Sequence, residues 1–156
     1  TRTHACTSPG FGGRAASRRY SPLRPVDMAH ILVMEDRRTL REMLVTALED
    51  WGYTADAAGN GAEGLRLYQV RPADLVVCDM FMPEKDGLST IRDLRRVTPA
   101  LPIIAISGGH QDLTPPESYL NLAMRFGADE VLVKPFPLEV LHEAIRRLLS
   151  KGSAAG

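Results

Sequence analysis

The sequence predicts an α/β domain, a doubly wound, five-stranded parallel sheet with five helices packed on its two faces. Two observations carry that prediction. Five short apolar runs alternate with segments whose apolar residues recur at helical spacing. Three of those runs are apolar throughout rather than alternating, as strands buried on both faces are. Each parallel pairing needs a crossover, and right-handed crossovers distribute the helices on two sides.

The elements follow in order. Residues 30–34, HILVM, form the first strand, and Leu40, Met43, Leu44, Ala47 and Leu48 share one face of the next helix. Gly52 stops that helix. Residues 53–57 read as a second, weaker strand. Asn60 then opens a helix carrying Ala62, Leu65 and Leu67, which ends before Pro72. The third strand is 74–78, and Leu88, Ile91 and Leu94 line the helix after it. A fourth apolar run covers 102–106. After a loop with Gly108, Gly109 and the Pro115-Pro116 pair, a helix covers about 117–126 and Gly127 closes it. Residues 131–133 are the fifth strand, and Leu138, Leu141, Ile145 and Leu148 line the last helix.

Composition bounds the function. A chain of 156 residues with 44% hydrophobic and 24% charged residues is an ordinary globular domain. Lys plus Arg and Asp plus Glu both count 19, so no overall basic footprint argues for nucleic acid. The balance is uneven along the chain. Residues 1–28 hold five arginines against Asp27, a charge of +4, which leaves −4 on the remainder. This Gly-, Ser-, Pro- and Arg-rich stretch is expected to be a disordered or non-native tail, with Met28 read as the native start. The folded domain is expected over 29–151, with 152–156 a flexible end. Cys6 and Cys78 form neither a disulfide framework nor a metal-ligand spacing, which suits a cytoplasmic location. No apolar run reaches the roughly 18 residues of a membrane span.

The charges fall at the strand ends. Glu35-Asp36 follow the first strand, Asp79 the third, Ser107 the fourth and Lys134 the fifth. Ligands of such sheets bind beyond the carboxyl ends of the strands, where strand order reverses. Singly, each of these residues is as readily a helix cap, a turn residue or a solvated strand end. Jointly, the fold gathers them into one patch. Three carboxylates that close repel one another unless a cation intervenes. Hard oxygen ligands favour Mg²⁺ or Mn²⁺ over zinc. An ammonium and a hydroxyl beside them are what a phosphoryl group needs.

The motifs ILVMED, DMFMPEKDG, AIS and GADEVLVKPF together resemble the receiver domain of bacterial two-component response regulators, over about 29–151. The resemblance implies the flavodoxin-like receiver fold. It also implies Asp79 as phosphoacceptor and Mg²⁺ held by Asp36, Asp79 and the backbone carbonyl of Phe81, with Glu35 acting through water. Lys134 and Ser107 would contact the phosphoryl oxygens, the Lys134-Pro135 bond would be cis, and Asp86 would cap the helix after Asp79. Implied partners are a sensor histidine kinase or histidine phosphotransfer protein, and a downstream protein bound through the fourth helix, fifth strand and fifth helix. Self-association as a homodimer is a further expectation; nucleic acid and membrane are not expected as partners. Because the chain ends in KGSAAG, a stand-alone receiver is expected.

Three departures stand out. Val131 occupies the switch position, with Ser107 its partner, where the family commonly has an aromatic ring. The segment from Ser107 to Lys134 is longer than is typical and contains His110. Phe81 stands where a polar side chain often influences hydrolysis of the acyl phosphate, so a long-lived phosphorylated state is expected. The alternatives are a constitutive adaptor that never turns over phosphate, suggested by Val131, and an aspartate-nucleophile hydrolase, which wants an acid where Phe81 stands. Flavin binding lacks a Ser/Thr-rich loop after the first strand.

Overall fold

The computed structural model describes residues 29–108 and 116–154. The tail before residue 29, the loop with His110, and the last two residues lie outside the described residues. The order is β1 (His30–Met34), α1 (Arg38–Asp50), β2 (Thr54–Ala58), α2 (Gly61–Val70), β3 (Leu75–Asp79) and α3 (Gly87–Val97). It continues with β4 (Ile103–Gly108), α4 (Pro116–Phe126), β5 (Glu130–Lys134) and α5 (Leu138–Ala154). The sheet order is β2-β1-β3-β4-β5 and every pairing is parallel. Strand order therefore reverses between β1 and β3.

The pleat of β1 shows why its residues are apolar without alternation. Leu32 and Met34 join a core with Tyr68 of α2, Ile91 and Leu94 of α3 and Ala123 of α4. Ile31 and Val33 face the other core, with Leu44 and Leu48 of α1 and Leu141, Ile145 and Leu148 of α5. Fully burying each such side chain stabilises the fold by roughly 1.5–3 kcal/mol. The second strand is weak in sequence because β2 lies at the sheet edge and is built of small and polar residues, TADAA.

The helix boundaries follow local chemistry. The Asn60 side chain accepts the Glu63 N–H and the Asp86 side chain accepts the Ser89 N–H, so both helices carry the caps that their sequences announce. Gly52 and Gly127 adopt positive φ, 94° and 115°, just past α1 and α4. Helix α5 continues through Gly152, since a single glycine costs a helix only about 1 kcal/mol relative to alanine. Beyond α4, Arg95 of α3 ties the start of β5 to the sheet, donating to the carbonyls of Gly127 and Leu101 and pairing with Asp129 at 2.8 Å.

A polar cluster closes the amino end of the sheet. His30, 2% exposed, bonds Thr54 Oγ1 through Nδ1 at 2.8 Å and Asp56 Oδ2 through Nε2 at 2.9 Å. Its backbone N–H donates to Asp74 Oδ2 at 2.7 Å, and its carbonyl accepts the Asp74 N–H. Parallel register places Thr54 opposite His30 and Asp56 two residues further on the same face.

Candidate functional site

At the opposite end, the strands deliver charges to the point where the sheet reverses. β1 stops at Met34, and the Glu35 N–H still donates to Ala58 of β2 at 3.0 Å. That bond holds Glu35 as an extension of the strand with its side chain fully buried, while Asp36, one residue on, is exposed. Asp79 is the last residue of β3 and is 3% exposed. Its Oδ1 accepts the Phe81 N–H at 3.1 Å, which curls the following loop back toward the carboxylate. Gly87 completes that curl, since a Cβ there would collide with the Asp79 carbonyl oxygen.

Lys134 reaches the site from two strands away. Its Nζ donates to Glu35 Oε2 at 2.7 Å and to Asp79 Oδ2 at 3.0 Å. The route runs over Gly108, the register partner of Lys134, where a Cβ would sit 3.1 Å from Lys134 Cδ. The Lys134-Pro135 bond is cis, as the resemblance implied. Carboxylate oxygens of Glu35, Asp36 and Asp79 lie within 4.8 Å of one another. Ser107, on β4 one residue beyond the register partner of Asp79, is 1% exposed, and its hydroxyl has no hydrogen-bond partner among the described residues. Such orphaned buried hydroxyls are uncommon and call for an explanation.

The electrostatics match that crowding. Burial pushes the Glu35 carboxyl up to about 7, aided by the nearby Asp79 and opposed by the Lys134 ammonium. Burial also works against the Lys134 charge, but bonds to Glu35 and Asp79 outweigh it and its pKa is raised. Burial pushes the Cys78 thiol up as well, which leaves it a small buried hydrophobe beside Asp79.

The structure thus brings Glu35, Asp36, Asp79 and Lys134 into one pocket and buries Ser107 at the same sheet end. Phe81 packs part of its ring against the core and, with Met82, Pro83, Asp36 and Asp86, lines an open cleft beside it. Val131 is not in the pocket; it packs against the core three residues before Lys134. Arg41 was not singled out in the sequence. Its guanidinium donates to the carbonyls of Glu35 at 2.9 Å and Asp36 at 3.4 Å, holding the turn between the two acids. Gly87 was visible only as the last residue of the DMFMPEKDG motif, and Gly108 only as a loop residue.

The profile of the response regulator receiver domain matches residues 31–146 of this chain. The chain belongs to the receiver domain family. A probable transcriptional regulatory protein of Picosynechococcus is 37% identical to the receiver over 130 residues, covering 79% of this chain and 50% of that protein. The KDP operon transcriptional regulatory protein KdpE of Escherichia coli is 35% identical over 127 residues, 81% of this chain and 54% of that one. The receiver spans about half the length of the curated relatives it matches, and these are named as transcriptional regulators, so they lend no support to the expectation that nucleic acid is absent. Among solved structures, a response regulator receiver domain protein from Clostridium thermocellum superposes with a TM-score of 0.74 at 31% identity, over 82% of this chain and 99% of that one. The receiver domain of the Francisella response regulator 1452 gives 0.70 at 27% identity, over 80% and 98%. Among the described residues, no helix is long and apolar enough to cross a membrane.

Proposed function

We propose that Asp79 accepts a phosphoryl group from a phosphohistidine donor, a sensor kinase or phosphotransfer protein, in a reaction that depends on Mg²⁺ or Mn²⁺. The observation that carries this reading is the Lys134 ammonium bridging Glu35 and Asp79, at the sheet end where the Ser107 hydroxyl is buried without a partner among the described residues. A carboxylate oxygen of Asp79 forms the new O–P bond as the donor's P–N bond breaks, and the electron pair returns to the imidazole nitrogen, which takes up a proton. Lys134 and Ser107 then hold two of the phosphoryl oxygens, as an ammonium and a hydroxyl do best where charge develops.

The donor set fits a hard divalent cation, because it offers three closely spaced carboxylate oxygens and no sulfur or imidazole. Asp36, Asp79 and the Phe81 carbonyl would hold it, with Glu35 acting through water; the ion supplies neutralisation of the phosphoryl charge.

In this reading the receiver works in the cytoplasm and passes its signal to a protein partner through α4, β5 and α5. Met124 and Phe126 of α4, Val133 of β5 and Val140 of α5 are large apolar residues exposed on those elements, which suits a protein partner or a second copy. With Val131 at the switch position, the change between two conformations of that face passes through Ser107 and backbone rather than a turning ring. An apolar Phe81 cannot orient an attacking water, so the phosphorylated state is long-lived.

Incubation with acetyl phosphate and Mg²⁺ tests this reading. A stable adduct of about 80 Da, one phosphoryl group, is expected. Continuous phosphate release without an adduct points instead to a hydrolase, and inertness to the adaptor.

A further inference from the structure

Successive side chains of an extended strand point to opposite faces of the sheet. Glu35 and Asp36 are neighbours just past the end of β1, yet their carboxylate oxygens lie within 4.8 Å of each other and of an Asp79 oxygen. The chain must therefore turn between them. The backbone does bend at Asp36, and the bend is held from α1. Arg41 Nη1 donates to the Glu35 carbonyl at 2.9 Å and to the Asp36 carbonyl at 3.4 Å, so a single nitrogen gathers two successive carbonyls.

The three acids differ in what else fixes them. The Glu35 N–H donates to Ala58, and its two carboxylate oxygens accept the Arg37 N–H and the Lys134 ammonium. Asp79 accepts the Phe81 N–H on one oxygen and Lys134 on the other. Asp36 is exposed, and its side chain has no hydrogen bond or ion pair among the described residues. Its backbone has one hydrogen bond among them, the one from Arg41.

Arg41 is seated for this task. It is half-buried and forms no ion pair with an acid among the described residues. Its Nη1 lies against the β2–α2 loop, where a Cβ on Gly59 would come within 3.2 Å of it. The guanidinium thus serves the shape of the turn.

The rigidity of a donor set decides which cation it takes. Mg²⁺ demands near-ideal geometry at about 2.0–2.1 Å, whereas Ca²⁺ accepts looser sets at about 2.3–2.6 Å. Residues that orient a ligand from behind typically change metal affinity about 10–100-fold.

We propose that Arg41 is the positioning residue of the cation site. It turns Asp36 onto the side of Glu35 and Asp79, and by fixing that turn it makes the three-acid set selective for Mg²⁺ over the larger Ca²⁺. This inference rests on the proposed use of a divalent cation at Asp79.

The test is calorimetric titration of the unphosphorylated chain with Mg²⁺ and, separately, with Ca²⁺, for wild type, Arg41→Ala, Arg41→Lys and Gly59→Ala. Arg41→Ala is expected to weaken Mg²⁺ binding about tenfold and Ca²⁺ binding by less than about threefold, so the preference for Mg²⁺ falls. Arg41→Lys should restore most of that preference, because one ammonium can donate to both carbonyls. Gly59→Ala keeps the guanidinium but crowds Nη1, and should shift the preference the same way to a smaller extent. It carries the test should Arg41→Ala fail to fold. Charge alone predicts the opposite sign, since removing a cation beside three acids tightens both ions. Tighter binding of both ions, equal weakening of both, or a wild-type preference in Arg41→Ala and Gly59→Ala overturns the inference and leaves the phosphoacceptor reading intact. No Mg²⁺ binding by the wild-type chain overturns the cation reading, and the inference with it.

Discussion

The two ends of the sheet each hold a cluster of polar side chains, and they differ in whether those groups are satisfied. At the amino end, both His30 ring nitrogens are bonded, and Thr54, Asp56 and Asp74 complete the set. At the carboxyl end, three carboxylates crowd within 4.8 Å around one ammonium, and the Ser107 hydroxyl has nothing to bond among the described residues. A satisfied buried network fixes a structure; one left with an orphan and excess like charge is arranged for something that arrives later. The difference lies in the bonding, since both clusters contain acids and both are built around buried groups, His30 at one end and Glu35, Asp79 and Ser107 at the other.

The comparison breaks most sharply at Lys134. Lys134→Ala leaves Glu35 and Asp79 facing each other without their shared cation, a loss of the kind that costs about 3–5 kcal/mol when one partner of a buried pair is removed. It should also slow phosphoryl uptake by about a hundredfold, in line with removal of one strong charge-stabilising donor. Chemical denaturation and adduct kinetics report the two effects separately.

His30→Leu sharpens the contrast from the other end. It leaves Asp56 and Thr54 without their buried partner, and a denaturation midpoint should reveal a loss of about 1–3 kcal/mol. Phosphoryl uptake by the folded fraction should be unchanged. Ser107→Ala should do the reverse. Its stability should stay within about 0.5 kcal/mol of wild type, because no bond among the described residues is lost. Uptake should nevertheless slow by about tenfold, or roughly 1.4 kcal/mol of transition-state stabilisation. Equal stability losses in the two variants would erase the distinction between the clusters.

The smallest effect concerns pH at a third place, where His142 of α5 stacks on Trp51 with ring centroids 4.2 Å apart. Burial lowers the His142 pKa, and the neighbouring Arg146 lowers it further. The unfolded chain therefore binds the proton more tightly. The stabilisation is fully present above the ordinary histidine range and is lost as pH falls through the lowered folded value. His142→Phe should keep the stack and remove that part of the acid-side decline in the unfolding midpoint.

Much of this was legible in the sequence. The central strands announce themselves because β1, β3 and β4 are covered on both faces, and every site residue closes an apolar run. The division of labour between Glu35 and Asp36 was not legible. Which of two adjacent acids is buried depends on the bond from Glu35 to Ala58 in β2, set by strand register rather than local pattern. The span of Lys134 depends on the bare backbone of Gly108, and the His30 cluster on pairing with an edge strand of weak signal.

The most direct measurement locates the phosphoryl group itself. An acyl phosphate on a carboxylate is reduced by borohydride to an alcohol, so treatment of the phosphorylated chain followed by peptide mass spectrometry marks the acceptor. The account predicts homoserine in place of Asp79 and no change at any other acid, with the mark absent when Mg²⁺ is chelated. A mark on Glu35 or Asp36, or an acid-labile phosphoryl group on His30 at the opposite end of the sheet, would contradict it.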